Sequence, residues 1–153
     1  MEVTKPEQLW VSDITYIQTT GGHNYLSLVT DAYSKKIMGY ELLDNLTTAG
    51  PLKALESALK SRKYNHDLVH HSDRGLQYCA NEYQQILYKN GIQPSMTQNS
   101  DPYENAVAER INGILKQEFY IDKYNKDLPI MKQIIKETVD IYNEKRPNYL
   151  SIC

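Results

Sequence analysis

Three acidic residues occupy positions where their type and spacing could do chemistry. Asp13 lies within Leu9–Gln18, whose β-branched and aromatic side chains predict a central strand. Asp73 follows the predicted strand 67–72, at the kind of strand end where open α/β sheets place ligand chemistry. Glu109 lies on a predicted helix. Two or three carboxylates brought together would form an incomplete oxygen shell of the kind that Mg²⁺ prefers, and two such ions promote in-line displacement at phosphorus.

Each of these acids also has an ordinary explanation. Asp13 could face water from an edge strand, and Asp73 could be a turn residue before Arg74 and Gly75. Glu109 lies opposite the apolar side of its helix, as residues on a solvated face do. The case for a metal site therefore depends on the three acids taken together.

The helix around Glu109 carries further polar groups on the same face. Asn105, one turn earlier, could hold the Glu109 carboxylate through an i, i+4 contact. Gly113 leaves a gap in the side-chain layer, and Lys116 follows two turns after Glu109. This face could receive a phosphate backbone, although a solvated helix face explains Lys116 equally well.

Two adjacent histidines precede Asp73. His71 either contacts Asp73 and supports it or packs inside its own strand. His70 is more typical of a structural residue. A zinc site built from His70, His71 and Cys79 is disfavoured because the spacing is poor and a fourth ligand is missing.

The elements that must position these residues follow from the hydrophobic pattern. Three strands joined by short turns predict an antiparallel meander, and helices then alternate with two short strands before two final helices. This order predicts an α/β domain with one mixed sheet and helices on its faces. The predicted strands are 9–18, 23–30, 36–43, 67–72 and 91–96, and the predicted helices begin near 48 and 81 and span about 103–120 and 128–143.

Composition narrows the class of protein. Seventeen basic and 19 acidic residues give a formal charge of −2, which argues against a clamp that holds nucleic acid by charge alone. The sequence lacks an apolar run long enough to span a membrane, and its two cysteines fit a reducing compartment. We therefore expect a single domain over residues 1–153, in the cytoplasm.

Four stretches of this chain resemble the catalytic core of DDE transposases of insertion sequences, the branch closest to retroviral integrases. Gln8–Thr15 is similar to the Trp-x-x-Asp-Ile-Thr motif, and His71–Tyr78 to His-Ser-Asp-Arg-Gly-x-Gln-Tyr. Residues 101–118 resemble Asp-Asn-Ala-x-x-Glu followed by Leu-Lys-x-Glu, with 35 residues between Asp73 and Glu109. Residues 142–150 resemble the closing Tyr-Asn-x-x-Arg-Pro motif. Glu104 and Asn148 depart from the family pattern, which usually has Asp and His there.

This resemblance implies a ribonuclease H-like fold with a five-stranded mixed sheet. It also implies that Asp13, Asp73 and Glu109 are catalytic and bind two Mg²⁺ or Mn²⁺ ions. The implied reaction is hydrolysis at the ends of a DNA element, followed by attack of the freed 3′ hydroxyl on target DNA. The implied partners are DNA and further copies of the chain. The family carries an upstream DNA-binding region, and we expect this chain to be the core without it.

Two other functions remain open from the sequence. One is a ribonuclease H-like nuclease that only hydrolyses, and the other is a non-catalytic DNA-binding or assembly module derived from a transposase. The Asn105, Glu109 and Lys116 helix and the Tyr-Asn-x-x-Arg-Pro tail argue against the first, and the complete set of acids argues against the second. His71 and Asn105 are candidates to support the acids, and Lys116, Arg146 and Tyr103 are candidates to contact DNA.

Overall fold

The computed structural model describes residues 2–73, 75–96 and 102–150, without the side chains of 102–105 and 147–150. Within this part, five strands form one sheet in the order β3-β2-β1-β4-β5. The first three strands pair antiparallel, and β4 and β5 add in parallel, so the predicted mixed sheet is confirmed. The strands are β1 (Leu9–Thr19), β2 (Gly22–Asp31), β3 (Ile37–Leu43), β4 (Leu68–Ser72) and β5 (Ile92–Met96).

Helices cover both faces of this sheet, because alternate residues of its strands are apolar on each side. One face packs against the first three helices through a core that contains Trp10 and Leu55. The other face packs against the last two helices through Ile17, Leu28 and Ile111. The helices are α1 (Ala49–Ser61), α2 (Leu76–Cys79), α3 (Asn81–Lys89), α4 (Pro102–Gln117) and α5 (Leu128–Leu150).

Helix α1 crosses β3 closely at Gly39. A Cβ atom at this position would lie 2.0 Å from the Ala54 carbonyl oxygen, so only glycine allows the helix backbone to approach the strand. At the end of α3, Gly91 adopts a positive φ of 65°, as expected for the residue after a helix.

Two helices differ from the sequence prediction. Helix α2 was not predicted, because four residues are too few to show a helical period. Helix α5 was predicted to end at Asn143, before Pro147, but it continues to Leu150. A proline removes one N–H hydrogen bond inside a helix without always ending the helix.

Thr48 occupies the position before α1, as predicted, but its side chain makes no capping hydrogen bond. The neighbouring Thr47 hydroxyl instead accepts a long bond, 3.4 Å, from the Ala49 N–H. In the described ranges, no helix is long and apolar enough to cross a membrane. The loop predicted at 96–101 lies largely outside the described residues.

Candidate active site

Strand pairing brings Asp13 and Asp73 to the same place on the sheet. Strands β1 and β4 are parallel neighbours, with Val11 beside His71. Two residues further along each chain come Asp13, still within β1, and Asp73, the residue that follows the end of β4. Asp13 lies on the face that α4 covers, and the charge of Asp73 is close enough to raise the pKa of Asp13.

Asp13 is half-buried and is held by helix α4. The side-chain amide of Asn112 donates a hydrogen bond to Asp13 Oδ2 at 2.7 Å. Burial raises the pKa of Asp13 to about 6, and the Asp73 charge adds to this rise, whereas the Asn112 bond and the Lys116 charge lower it. The charged form of Asp13 is thus costly, which is the condition under which a bound cation is most favourable.

Asn112 was not assigned a role at Asp13 from the sequence. In the part of the chain that the structure describes, its Oδ1 is buried without a hydrogen-bond partner, while its Nδ2 binds Asp13. Its spacing is the signal that could have identified it, since it lies one turn after Glu109 and one turn before Lys116. Sequence reasoning chose Asn105 instead, whose side chain lies outside the described residues.

Glu109 lies on the same helical face as Asn112 but is exposed. Among the described residues, no three His, Cys, Asp or Glu side chains lie close enough together to hold a metal ion. The structure therefore brings together Asp13, Asp73, Asn112 and the charge of Lys116, and it leaves Glu109 outside this group. The three-carboxylate site remains a prediction.

Asp73 is exposed, and its carboxylate is held by the backbone amide of Gly75. The Gly75 N–H donates to Asp73 Oδ1 at 2.7 Å. A Cβ atom on residue 75 would lie 2.9 Å from the same oxygen, so a larger residue would push the carboxylate away. Glycine at this position keeps the carboxylate and the backbone amide in contact.

The two histidines of β4 face opposite sides of the sheet. His70 Nε2 lies 2.7 Å from the Ser12 hydroxyl and 2.8 Å from the Tyr83 hydroxyl, and burial lowers the pKa of His70 to about 4. His70 is therefore a neutral core residue. His71 is buried on the Asp73 side, with Nδ1 3.5 Å from the Ser95 hydroxyl, and its supporting role stays a prediction.

The three candidate DNA contacts are in different situations. Lys116 is half-buried and close enough to Asp13 to lower its pKa. Arg146 lies near the end of α5 and donates to the backbone carbonyls of Ser34 and Asn143. Tyr103 belongs to α4, and its side chain lies outside the described residues.

The raised pKa of Asp13 predicts how stability depends on pH without metal. The folded chain holds a proton on Asp13 up to about pH 6, whereas an ordinary aspartate loses it near 3.8. The free energy of unfolding should therefore fall as pH rises from about 4 to 6, by on the order of 2 kcal/mol. Asp13→Asn should remove this fall and make the chain more stable than wild type at pH 7.5.

This prediction can be checked by urea unfolding in EDTA at pH 4.5 and 7.5. The exposed Asp44 supplies the matched control, because Asp44→Asn should leave the difference between the two pH values unchanged. Parallel curves for wild type and Asp13→Asn would contradict the assigned burial of the Asp13 charge.

Comparison with known families identifies the family of the chain. Two models described as integrase core domain match the chain, one over residues 3–102 and the other over residues 90–148. A putative transposase for insertion sequence element IS986/IS6110 of Mycobacterium tuberculosis is 40% identical over 118 residues, which cover 74% of this chain and 42% of that protein. The transposase for insertion sequence element IS629 of Shigella sonnei is 37% identical over 93% of this chain and 48% of its own length.

Two solved viral structures share the fold of this chain. The HTLV-2 integrase catalytic core domain in complex with magnesium has a TM-score of 0.69 and 18% identity, over 90% of this chain and 86% of that one. The simian T-cell lymphotropic virus intasome with a PP2A regulatory subunit has a TM-score of 0.73 and 19% identity, over 91% of this chain and 49% of that one. At this identity they show the fold, which is ribonuclease H-like.

The chain spans about half the length of the curated relatives that it matches. Its carboxylate and amide oxygens at Asp13, Asp73 and Asn112 are the hard donors that suit Mg²⁺, so the residues present fit a divalent ion. The mixed sheet, the paired aspartates and the matched models agree: the chain belongs to the integrase core domain family, and within it resembles the transposases of insertion sequences.

Proposed function

We propose that this chain is the catalytic core of an insertion-sequence transposase, which transfers phosphoryl groups on DNA. It hydrolyses the DNA at the ends of its element and then joins each freed 3′ hydroxyl to target DNA. The observation that carries this proposal is the placement of Asp13 beside Asp73, under a helix that presents Asn112 and Lys116. The relatives named as transposases support the same reaction.

Each residue of the site has a separate role in this proposal. Asp13 and Asp73 hold two Mg²⁺ or Mn²⁺ ions, and Glu109 supplies the third carboxylate from the exposed face of α4. Asn112 fixes Asp13 by donating to Oδ2, and an Asp13 carboxylate held in this way would be a ready ligand for a divalent ion. Lys116 attracts a DNA phosphate to the same place. The ions, when bound, activate the attacking oxygen and stabilise the leaving one.

The proposal also includes the partners. The substrates are the two ends of the element and a target duplex, and a multimer of the full-length protein holds both ends. The HTLV-2 cores have been solved in dimeric and trimeric forms, which supports an assembly of several copies. A near-neutral chain of charge −2 gains positive charge at the Asp13 site when divalent ions bind, where a phosphate must approach.

The reaction products distinguish the proposed transposase from a nuclease that only hydrolyses. The full-length protein is incubated with a labelled element end and a supercoiled target in Mg²⁺. We expect labelled strands covalently joined to the target, and EDTA should prevent both cleavage and joining. Cleaved but never joined ends would favour the nuclease, and DNA binding without cleavage would favour the non-catalytic module.

A further inference from the structure

The closing Tyr-Asn-x-x-Arg-Pro motif makes contacts that the proposed reaction does not use. Its first residue, Tyr142, is fully buried in the core between the sheet and the last two helices. The Tyr142 hydroxyl donates to the backbone carbonyl of Lys35 at 2.6 Å. Lys35 lies in the connection between β2 and β3, where it adopts a positive φ of 65°. The bond therefore fastens α5 to the connection between β2 and β3.

The second residue of the motif pairs with a strand edge. Asn143 accepts a bond from the Ile37 N–H at 2.9 Å and donates to the Ile37 carbonyl at 3.0 Å. Ile37 begins β3, the outer strand, where the pairing with β2 shifts by one residue. Unpaired backbone groups at a sheet edge are costly when buried and invite wrong pairing. The Asn143 amide thus replaces a neighbouring strand at this point.

The Arg-Pro pair completes the set of contacts. Residue 147 is a proline and has no N–H to donate to the carbonyl four residues earlier, which belongs to Asn143. Arg146 donates to that carbonyl from its guanidinium and also donates through Nε to the Ser34 carbonyl at 2.9 Å. Arg146 therefore satisfies the group that the proline leaves unpaired, and it holds the β2–β3 connection at the same time. This explains why α5 continues past the predicted end.

We propose that Tyr142, Asn143 and Arg146 form an intramolecular latch that positions the active-site helix. The latch fixes α5 to the β2–β3 connection. The buried side of α5 shares one hydrophobic core with Ile111 and Leu115 of α4, the helix that also carries Asn112 and Lys116. The three residues of the latch are positioning residues, and Arg146 acts through the protein backbone and not through DNA. The effect of the latch on catalysis rests on the proposed function, whereas its effect on structure does not.

The first test measures the latch without any substrate. Asn143→Ala should accelerate hydrogen exchange of the Ile37 amide at least about tenfold, because that N–H loses its acceptor. Arg146→Ala should lower the midpoint of thermal unfolding by about 4 °C or more. Arg146→Lys should lower it by less, because lysine can still donate to one of the two backbone carbonyls that Arg146 binds. Lys145→Ala is the matched control, because it removes an exposed neighbouring cation and should change neither quantity.

The second test separates the latch from a DNA contact in the full-length protein. Arg146→Ala should slow single-turnover joining about tenfold and leave the dissociation constant for element ends and its salt dependence unchanged. Weaker DNA binding with a shallower salt slope, at unaltered thermal stability and Ile37 exchange, would overturn the latch and make Arg146 a phosphate contact. If wild-type protein joins no DNA, the proposed function fails, while the exchange and unfolding results still decide the latch.

Discussion

Asp73→Asn is expected to reduce Mg²⁺-dependent cleavage and joining by at least about 10³-fold in the full-length protein. The substitution keeps the shape of the side chain but removes the charge that a divalent ion binds. The loss of a ligand to a catalytic ion costs several kcal/mol of transition-state stabilisation, and each 1.36 kcal/mol is a factor of ten in rate. The measurement is a time course on labelled element ends, with Asp67→Asn, at the exposed position just before β4, as control.

A second readout of the same variant does not depend on catalysis. The charge of Asp73 raises the pKa of Asp13, so Asp73→Asn should shift the pKa of Asp13 downward from about 6. This shift can be followed by NMR titration of the Asp13 carboxyl in metal-free protein. An unchanged pKa would mean that the two carboxylates are not neighbours, and full joining activity would exclude Asp73 from the site.

Glu109→Gln completes the test of the acids, because Glu109 is the member that lies outside the group in the structure. We expect a loss of joining as large as that of Asp73→Asn. Glu118→Gln, on an exposed position just after α4, is the control and should join DNA normally. If Glu109→Gln retains activity while Asp73→Asn does not, the third metal ligand must be a different residue. Oδ1 of Asn112, which is buried without a hydrogen-bond partner among the residues that the structure describes, then becomes the first candidate.

The sequence could predict the sheet because its order follows from local patterns. Short turns between alternating strands require antiparallel pairing, and the helices that separate the later strands require parallel crossovers. The same patterns could not supply the register between β1 and β4, which pairs residues about 60 positions apart and brings the end of β4 near Asp13. Register depends on packing across the sheet, so the pairing of the acids was inferred from resemblance.

The rotation of α4 about its axis was also beyond local reasoning. The apolar pattern of Val107, Ile111 and Leu115 indicates which side is buried, but several polar residues share the other side. Which of these polar residues contacts Asp13 depends on the rotation of the helix about its axis and on its position along the sheet. Asn112 therefore emerged only from the structure, as did the internal partners of Arg146.

Substitution of Asn112 is expected to have the second large effect, because this residue orients Asp13. Asn112→Ala removes the donor to Asp13 Oδ2, and Asn112→Asp replaces it with a second carboxylate. Residues that orient a metal ligand typically contribute 10- to 100-fold to metal affinity. We expect Mn²⁺ to bind Asn112→Ala about tenfold more weakly than wild type at pH 7.5.

The pH dependence of this loss follows from the charges around Asp13. The Asn112 bond lowers the pKa of Asp13, so its removal raises that pKa above about 6. A proton then competes with the metal over a wider range, and the deficit of Asn112→Ala should be greater at pH 6 than at pH 8. Asn112→Asp should bind still more weakly near pH 6, because two adjacent carboxylates share a proton before either can bind an ion.

Titration with Mn²⁺ followed by electron paramagnetic resonance gives the free-ion concentration directly at both pH values. Gln117→Ala removes an exposed amide from the same helix and should bind Mn²⁺ as wild type does. Thermal unfolding in EDTA checks that each variant retains its fold. Wild-type affinity of folded Asn112→Ala at both pH 6 and pH 8 would show that Asp13 does not need Asn112 to bind a metal. A deficit that grows toward low pH would place the Asn112 amide, together with the paired aspartates, in the part of the site that decides whether a proton or a metal occupies Asp13.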